Sequence, residues 1–98
     1  RPPGPALREC ADVRCTVDTI WSEAGYGWEL AFMHEVVECE SGWDPTAVGA
    51  AGEVGLFQLL PEYHAWRWYP DDPFDPAVNA RAALGLRSSS GWGPWSCA

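Results

Sequence analysis

Glu40 is the residue in this sequence best placed to move a proton. The stretch Trp28 to Glu40 contains neither proline nor glycine, and its apolar residues recur at helical spacing. At about 100° of rotation per residue, Met33, Val36 and Val37 fall on the same side as Glu40. Glu38 projects roughly the other way, beside His34 and Glu35. The pattern predicts a helix over 28–40 from whose apolar face Glu40 emerges at the end, while Glu38 meets solvent. Burial disfavours the charged form of a carboxyl and raises its pKa. An acid so placed can give up a proton near neutral pH.

The same residues carry a family resemblance. Glu40-Ser41 at a helix end, followed by Gly55-Leu56-Phe57-Gln58, resembles the Glu-Ser … Gly-Leu-Met-Gln signature of lytic transglycosylases and related lysozymes. Cys39-Glu40-Ser41-Gly42, with Gly91-Trp92-Gly93-Pro94-Trp95-Ser96-Cys97, also resembles the resuscitation-promoting factors of actinobacteria. Glu-Ser alone is no signal. The three blocks together, in order, are fairly specific and cover roughly Trp28 to Cys97.

The resemblance implies a glycosidase in which Glu40 is the general acid and afterwards the base. It implies that the Gly55 block lines the floor of a cleft, with Ser41, Gly55 and Gln58 contacting substrate. Gly55 would let the backbone approach the sugar, and the Gln58 amide would hydrogen-bond a sugar or N-acetyl group. Phe57 and Leu59 read as core, whereas Gln58 between them would be costly to bury without a partner.

Glu53 raises the question of a second carboxylate. Lytic transglycosylases use one catalytic carboxyl, and the sugar's own C6 hydroxyl attacks to leave a 1,6-anhydro end. Animal-type lysozymes carry a second acid two residues before the glycine of a similar block, where Glu53 stands here. A second carboxylate acts as nucleophile at about 5 Å from the first, or positions a water at roughly 6.5–9.5 Å. The competing reading is a solvated turn residue after Ala51-Gly52.

These side chains need elements to hold them. Asp12 to Glu23 reads as a first helix, with Val13, Val17, Ile20 and Trp21 on one face, broken by Gly25-Tyr26-Gly27. Gly42 suits the end of the central helix, and Asp44 orders a turn before Pro45. Gly49-Ala50-Ala51-Gly52 is a connector, and Glu53 to Leu59 a short strand or loop. Tyr63 to Tyr69 is the densest aromatic run. Tyr63 and Trp66 either stack on sugar rings or form one buried helical face. His64 reads as a surface or cap residue. Asp75-Pro76 caps and opens a last helix through about Arg87. Asp75-Pro76-x-x-Asn79 resembles the family's helix start, but Ala83 and Leu86 stand where the family carries Gly and Tyr. A saccharide contact usual for that tyrosine is therefore missing.

Ninety-eight residues make one domain with a barely sufficient core. Seven Trp, three Tyr and three Phe are too many for so small a body to hide, so some are expected at the surface. A net charge of −8 argues against nucleic acid as a partner and against a cationic lysozyme steered onto anionic walls. Attachment to a wall would then come from a tether or another domain. Residues 1–9 open with Arg1-Pro2-Pro3-Gly4-Pro5 and read as a linker at the edge of a mature or excised domain, with the catalytic domain at 10–98. No stretch has the roughly 20 apolar residues of a membrane span.

Four cysteines without a repeated Cys-x2-Cys pair favour disulfides over metal, and four cysteines allow three pairings. The resemblance to resuscitation-promoting factors implies Cys39 with Cys97, leaving Cys10 with Cys15. Disulfides imply an oxidising, extracytoplasmic setting, either cell wall or phage virion.

The sequence thus predicts a mainly α, lysozyme-like α+β domain with a minimal β element, stapled by disulfides. The expected activity, implied by the resemblance, is cleavage of the β-1,4 bond between N-acetylmuramic acid and N-acetylglucosamine in peptidoglycan. No cofactor or metal is expected, the partner is the glycan strand, and the state is monomeric. The alternative is an inactive glycan-binding or structural module of a phage tail or cell-surface protein.

Overall fold

The computed structural model describes residues 10–98, so the linker expected at 1–9 lies outside the described residues. Helix α1 spans Val13–Glu23 and begins where expected, because Asp12 accepts the Cys15 N–H at 2.8 Å and so satisfies an otherwise unpaired helix donor. Val17, Ile20 and Trp21 form its buried stripe. Ala24 and Gly25 close it, with Gly25 at φ +91°, a conformation glycine adopts without strain.

The central helix starts later than its periodicity predicts. Gly27–Glu29 is a 3-10 turn, and α2 runs Leu30–Ser41. The cause is Glu29, which leaves helical geometry at φ −112° and sends its carboxylate into the core. There it accepts Arg87 Nε at 2.8 Å and Arg87 Nη2 at 3.0 Å, a bidentate pair. Trp21 Nε1 donates to it at 3.0 Å and Trp92 Nε1 at 3.3 Å. Burial alone would raise the pKa of Glu29, but Arg87 and the two indoles outweigh it and hold the carboxyl below its ordinary range. Tertiary pairing has overridden local helix propensity here. Trp28, which the periodicity assigns to the helix, is largely exposed.

Met33, Val36 and Val37 are buried as predicted, and Glu38 is exposed. Gly42 ends α2 in the left-handed conformation at φ +60° and donates its N–H to the Glu38 carbonyl. Asp44 then orders the turn, accepting the Thr46 N–H at 2.9 Å and its hydroxyl at 2.8 Å.

The β element is minimal. Val54 forms isolated antiparallel bridges with Val48 and Leu59, and no regular strand occurs among the described residues. What fixes this loop is Asn79 of α4 (Pro76–Ser90), which is fully buried. Its Oδ1 accepts the Phe57 N–H at 2.9 Å, and its Nδ2 donates to Val54 O at 3.1 Å and Pro73 O at 3.0 Å. One buried amide thus ties three loop groups together, the Val54 carbonyl also accepting the Leu59 N–H. Asp75 caps α4 by accepting the N–H groups of Ala77 and Val78, with Pro76 at its first position. The helix runs past the expected Arg87 to Ser90.

Short α3 (Pro61–His64) and a 3-10 turn (Ala65–Arg67) carry the aromatic run. The C-terminal segment packs Trp92 and Trp95 onto the core. Trp21 stacks on Phe57 with centroids 5.1 Å apart, and Trp95 meets Phe57 edge-on while its Nε1 donates to Phe57 O at 2.9 Å. Disulfides join Cys10 to Cys15 and Cys39 to Cys97, the pairing implied by resemblance. The domain is therefore mainly helical and disulfide-stapled. Among the described residues, no helix is long and apolar enough to cross a membrane.

Candidate active site

Glu40 occupies the penultimate position of α2, where the apolar face runs out toward the C-terminal segment. It faces a pocket of about 120 Å³ that Glu53, Gln58, His64, Leu86 and Trp95 also line. Burial raises the Glu40 pKa. One hydrogen bond from the Cys97 backbone N–H to Oε2, at 3.3 Å, acts against that by favouring the charged form. The negative charge of Glu53 adds to the rise. The net result is a carboxyl held protonated to higher pH than usual, which suits it to donate a proton.

Glu53 is brought to the same pocket, not left in solvent. The turn before it holds it: Ala51 N–H donates to Oε1 at 2.9 Å. Glycine at position 49 leaves room for this arrangement, which a side chain there would displace. A Cβ there would lie 2.5 Å from Glu53 Oε1 and 2.6 Å from Gln58 Oε1. Gly49 is thus the point where both side chains press against backbone.

Gln58 lines the pocket, but its amide is used differently from the expectation. It stands at φ +49°, uncommon outside glycine, at the tip of a turn that Val54 and Leu59 close. Its Nε2 donates to Ala47 O at 3.1 Å and Gly55 O at 2.9 Å. Both donors are committed to backbone, so the group it offers is the carbonyl oxygen.

Other predicted contacts are not drawn into the pocket. Gly55 is buried at φ +78°, and a Cβ on it would collide with the Asn79 amide and Pro73 O, so it admits α4 and not a sugar. Ser41 donates its hydroxyl to Val37 O at 3.2 Å and does not line the pocket. Tyr63 and Trp66 are 63% and 71% exposed, which excludes the buried-face alternative. Trp66 Nε1 donates to Tyr63 O at 3.1 Å, and the Arg67 guanidinium sits 4.5 Å or less from the Trp66 ring, at 4.3 Å. One face of that indole is occupied by the cation and the other is open.

His64 is a pocket residue that its sequence context did not reveal. Burial, and then the Arg67 charge, lower its pKa and favour the neutral ring. Leu86 lines the pocket where the family resemblance leads one to look for tyrosine, and Ala83 is buried beneath it. Asn79 was legible as an amide on an apolar helix face beside Ala80, Ala82 and Ala83. Glu29 carried the same signal as Glu40, since the helical period places it on the face of Met33 and Val36.

A larger, open depression of about 410 Å³ lies on the far side of α2, over Arg14, His34, Glu38 and Trp43. Its acids Glu35 and Glu38 are exposed. The smaller pocket is the one that holds the part-buried acid with the raised pKa.

The model of the family described as "Transglycosylase SLT domain" matches residues 20–88. The match contains Glu40, Glu53, Gln58 and Asn79 and stops short of the Gly91–Cys97 block, so it does not extend to the features resembling resuscitation-promoting factors. No curated protein and no solved structure matches the chain.

Proposed function

Since the chain belongs to the transglycosylase SLT domain family, we propose that it cleaves the glycan strand of peptidoglycan between N-acetylmuramic acid and N-acetylglucosamine, with Glu40 as general acid. The observation that carries this reading is the Glu40 carboxyl itself, desolvated at the end of α2 inside a pocket, its pKa raised. A module kept only to bind glycan has no use for such a group.

The pocket is smaller than the roughly 300–1,000 Å³ that encloses whole ligands, at about 120 Å³. It accommodates the bond being cut, and the rings on either side lie across its mouth. Glu40 gives its proton to the glycosidic oxygen as that bond breaks, and then, as carboxylate, accepts one from the attacking group. Tyr63 and Trp66, exposed beside His64, offer apolar ring faces for stacking on the sugars beyond the pocket. The two disulfides favour an extracytoplasmic setting.

Purified peptidoglycan treated with wild type should release soluble fragments, and Glu40→Gln should release none while retaining the wild-type circular dichroism spectrum. A folded Glu40→Gln protein with most of its activity would remove Glu40 from the mechanism. Glycan binding by the wild type without any product would favour a binding module.

A further inference from the structure

Arg67 is a cation without a counter-charge at the rim of the pocket. The chain has six arginines and no lysine. Among the described residues the ion pairs are Asp18 with His34 and Glu29 with Arg87, and the Arg67 side chain takes part in none. Its Nε is buried without a hydrogen-bond partner. Nη1 and Nη2 are not buried in that way, so the far end of the guanidinium meets solvent.

Two contacts fix where that end lies. Cζ stands 4.3 Å from the centroid of the Trp66 ring, over one face. The guanidinium also uses the space left by Gly85 of α4, where a Cβ would be 3.0 Å from Nη1. Gly85 precedes Leu86, and Arg67 follows His64 by one 3-10 turn. Leu86 and His64 both line the pocket. The Arg67 charge is near enough to His64 to help lower its pKa.

Holding a guanidinium partly out of water without a partner is costly, and an incoming anion removes that cost. The planar fork of arginine matches a carboxylate, with two parallel N–H···O bonds. The rest of the chain, at net charge −8, repels such a group, so its binding needs a local cation. Muramic acid offers carboxylates on its lactyl arm: the arm's own where no peptide is attached, and those of the stem peptide where one is. We propose that Arg67 binds a carboxylate carried on the lactyl arm of a muramic acid residue beside the cut bond, so that acidic glycan is held in preference to uncharged glycan. This rests on the cleavage reading above and makes Arg67 a specificity-determining residue for it.

Binding to the Glu40→Gln protein, which should hold glycan without cutting it, tests this by calorimetric titration. The probes are soluble glycan oligomers, stripped of peptide or bearing it, each with its carboxylates free or converted to methylamides. Conversion should weaken binding about tenfold, the low end for losing a charge-assisted hydrogen bond. Adding Arg67→Gln should cost the free acid about the same factor and leave the methylamide unchanged. Arg67→Lys should restore part of the loss, since it keeps the charge without the fork. A loss on stripped oligomers assigns the lactyl carboxylate to Arg67, and a loss on peptide-bearing oligomers alone assigns a stem carboxylate. Equal weakening of acid and methylamide would show that Arg67 only supports the Trp66 ring, and would overturn the inference. Unchanged affinity for every oligomer would overturn it too. Because binding is read without turnover, a wild type that releases no product would overturn the cleavage reading and leave this result standing.

Discussion

The backbone N–H of Cys97 donates to Oε2 of Glu40 across 3.3 Å, while the side chain of Cys97 is bonded to Cys39, the residue before Glu40. The disulfide therefore holds in place the one donor to the proposed acid found among the described residues. Reducing it, or replacing both cysteines by serine, should free that N–H. The bond favours the ionised carboxyl, so its loss should raise the Glu40 pKa further and carry the alkaline limb of the activity profile to higher pH. Stability should fall by on the order of 4 kcal/mol on the loop-entropy estimate, because the bridge closes a loop of sequence separation 58. Melting curves and pH profiles with and without reductant check both outcomes.

Glu53→Gln should move the same limb in the opposite sense. The Glu53 charge raises the Glu40 pKa, after burial has done most of that work. Removing the charge lets Glu40 ionise more readily, so whatever activity remains should decline at lower pH than in wild type. A limb that stays put would show that the two carboxylates do not sense one another.

Glu29 governs stability. Glu29→Gln leaves the half-buried Arg87 without its counter-charge beside the buried Trp21, and losing charge-assisted hydrogen bonds of this kind costs about 1.5–3 kcal/mol. Many small domains have only about 5–15 kcal/mol in total. The folded-state pKa of Glu29 is depressed, so the unfolded chain takes up its proton first as pH falls. Its contribution is fully present above the ordinary glutamate range, near 4.5, and is lost as pH drops through the lower folded value. Urea denaturation at a series of acid pH values should show this slope in wild type, and Glu29→Gln should flatten it.

Trp66→Ala should weaken substrate binding without touching the acid. Only one face of the indole is free, since Arg67 covers the other, and aromatic contacts of this kind are worth about 0.5–1.5 kcal/mol. KM for a soluble glycan oligomer should rise up to roughly tenfold with kcat little changed. An unchanged KM would mean that the strand does not cross the 3-10 turn Ala65–Arg67.

The helical period alone located Glu40, because burial of Met33, Val36 and Val37 fixes which way α2 faces and hence where its last turn points. Glu38, two residues away, was separated from it by the same rule. The surroundings of Glu40 were less legible. The Cys97 N–H reaches it because Trp92 and Trp95 pack on Trp21 and Phe57, contacts between residues far apart in sequence. The helical period puts Glu29 on the face of Met33 and Val36, but its partner stayed hidden because Arg87 lies 58 residues on. The direction of the Gln58 amide depends on a positive φ at a non-glycine residue, which no spacing rule announces. His64 was masked by the aromatic neighbours that point elsewhere.

Residues 92–97 supply the Cys97 donor to Glu40, the pocket wall at Trp95 and Ser96, and the indole that completes the cage around Glu29. A nascent chain emerging N-terminus first consequently carries its acid long before it carries an active site. Until that segment docks, the Glu40 carboxyl has no pocket to desolvate it and Arg87 no complete cage to enter. Order of synthesis therefore acts as a safety catch: the proposed acid meets its full pocket wall only after Trp92 and Trp95 have closed over the core.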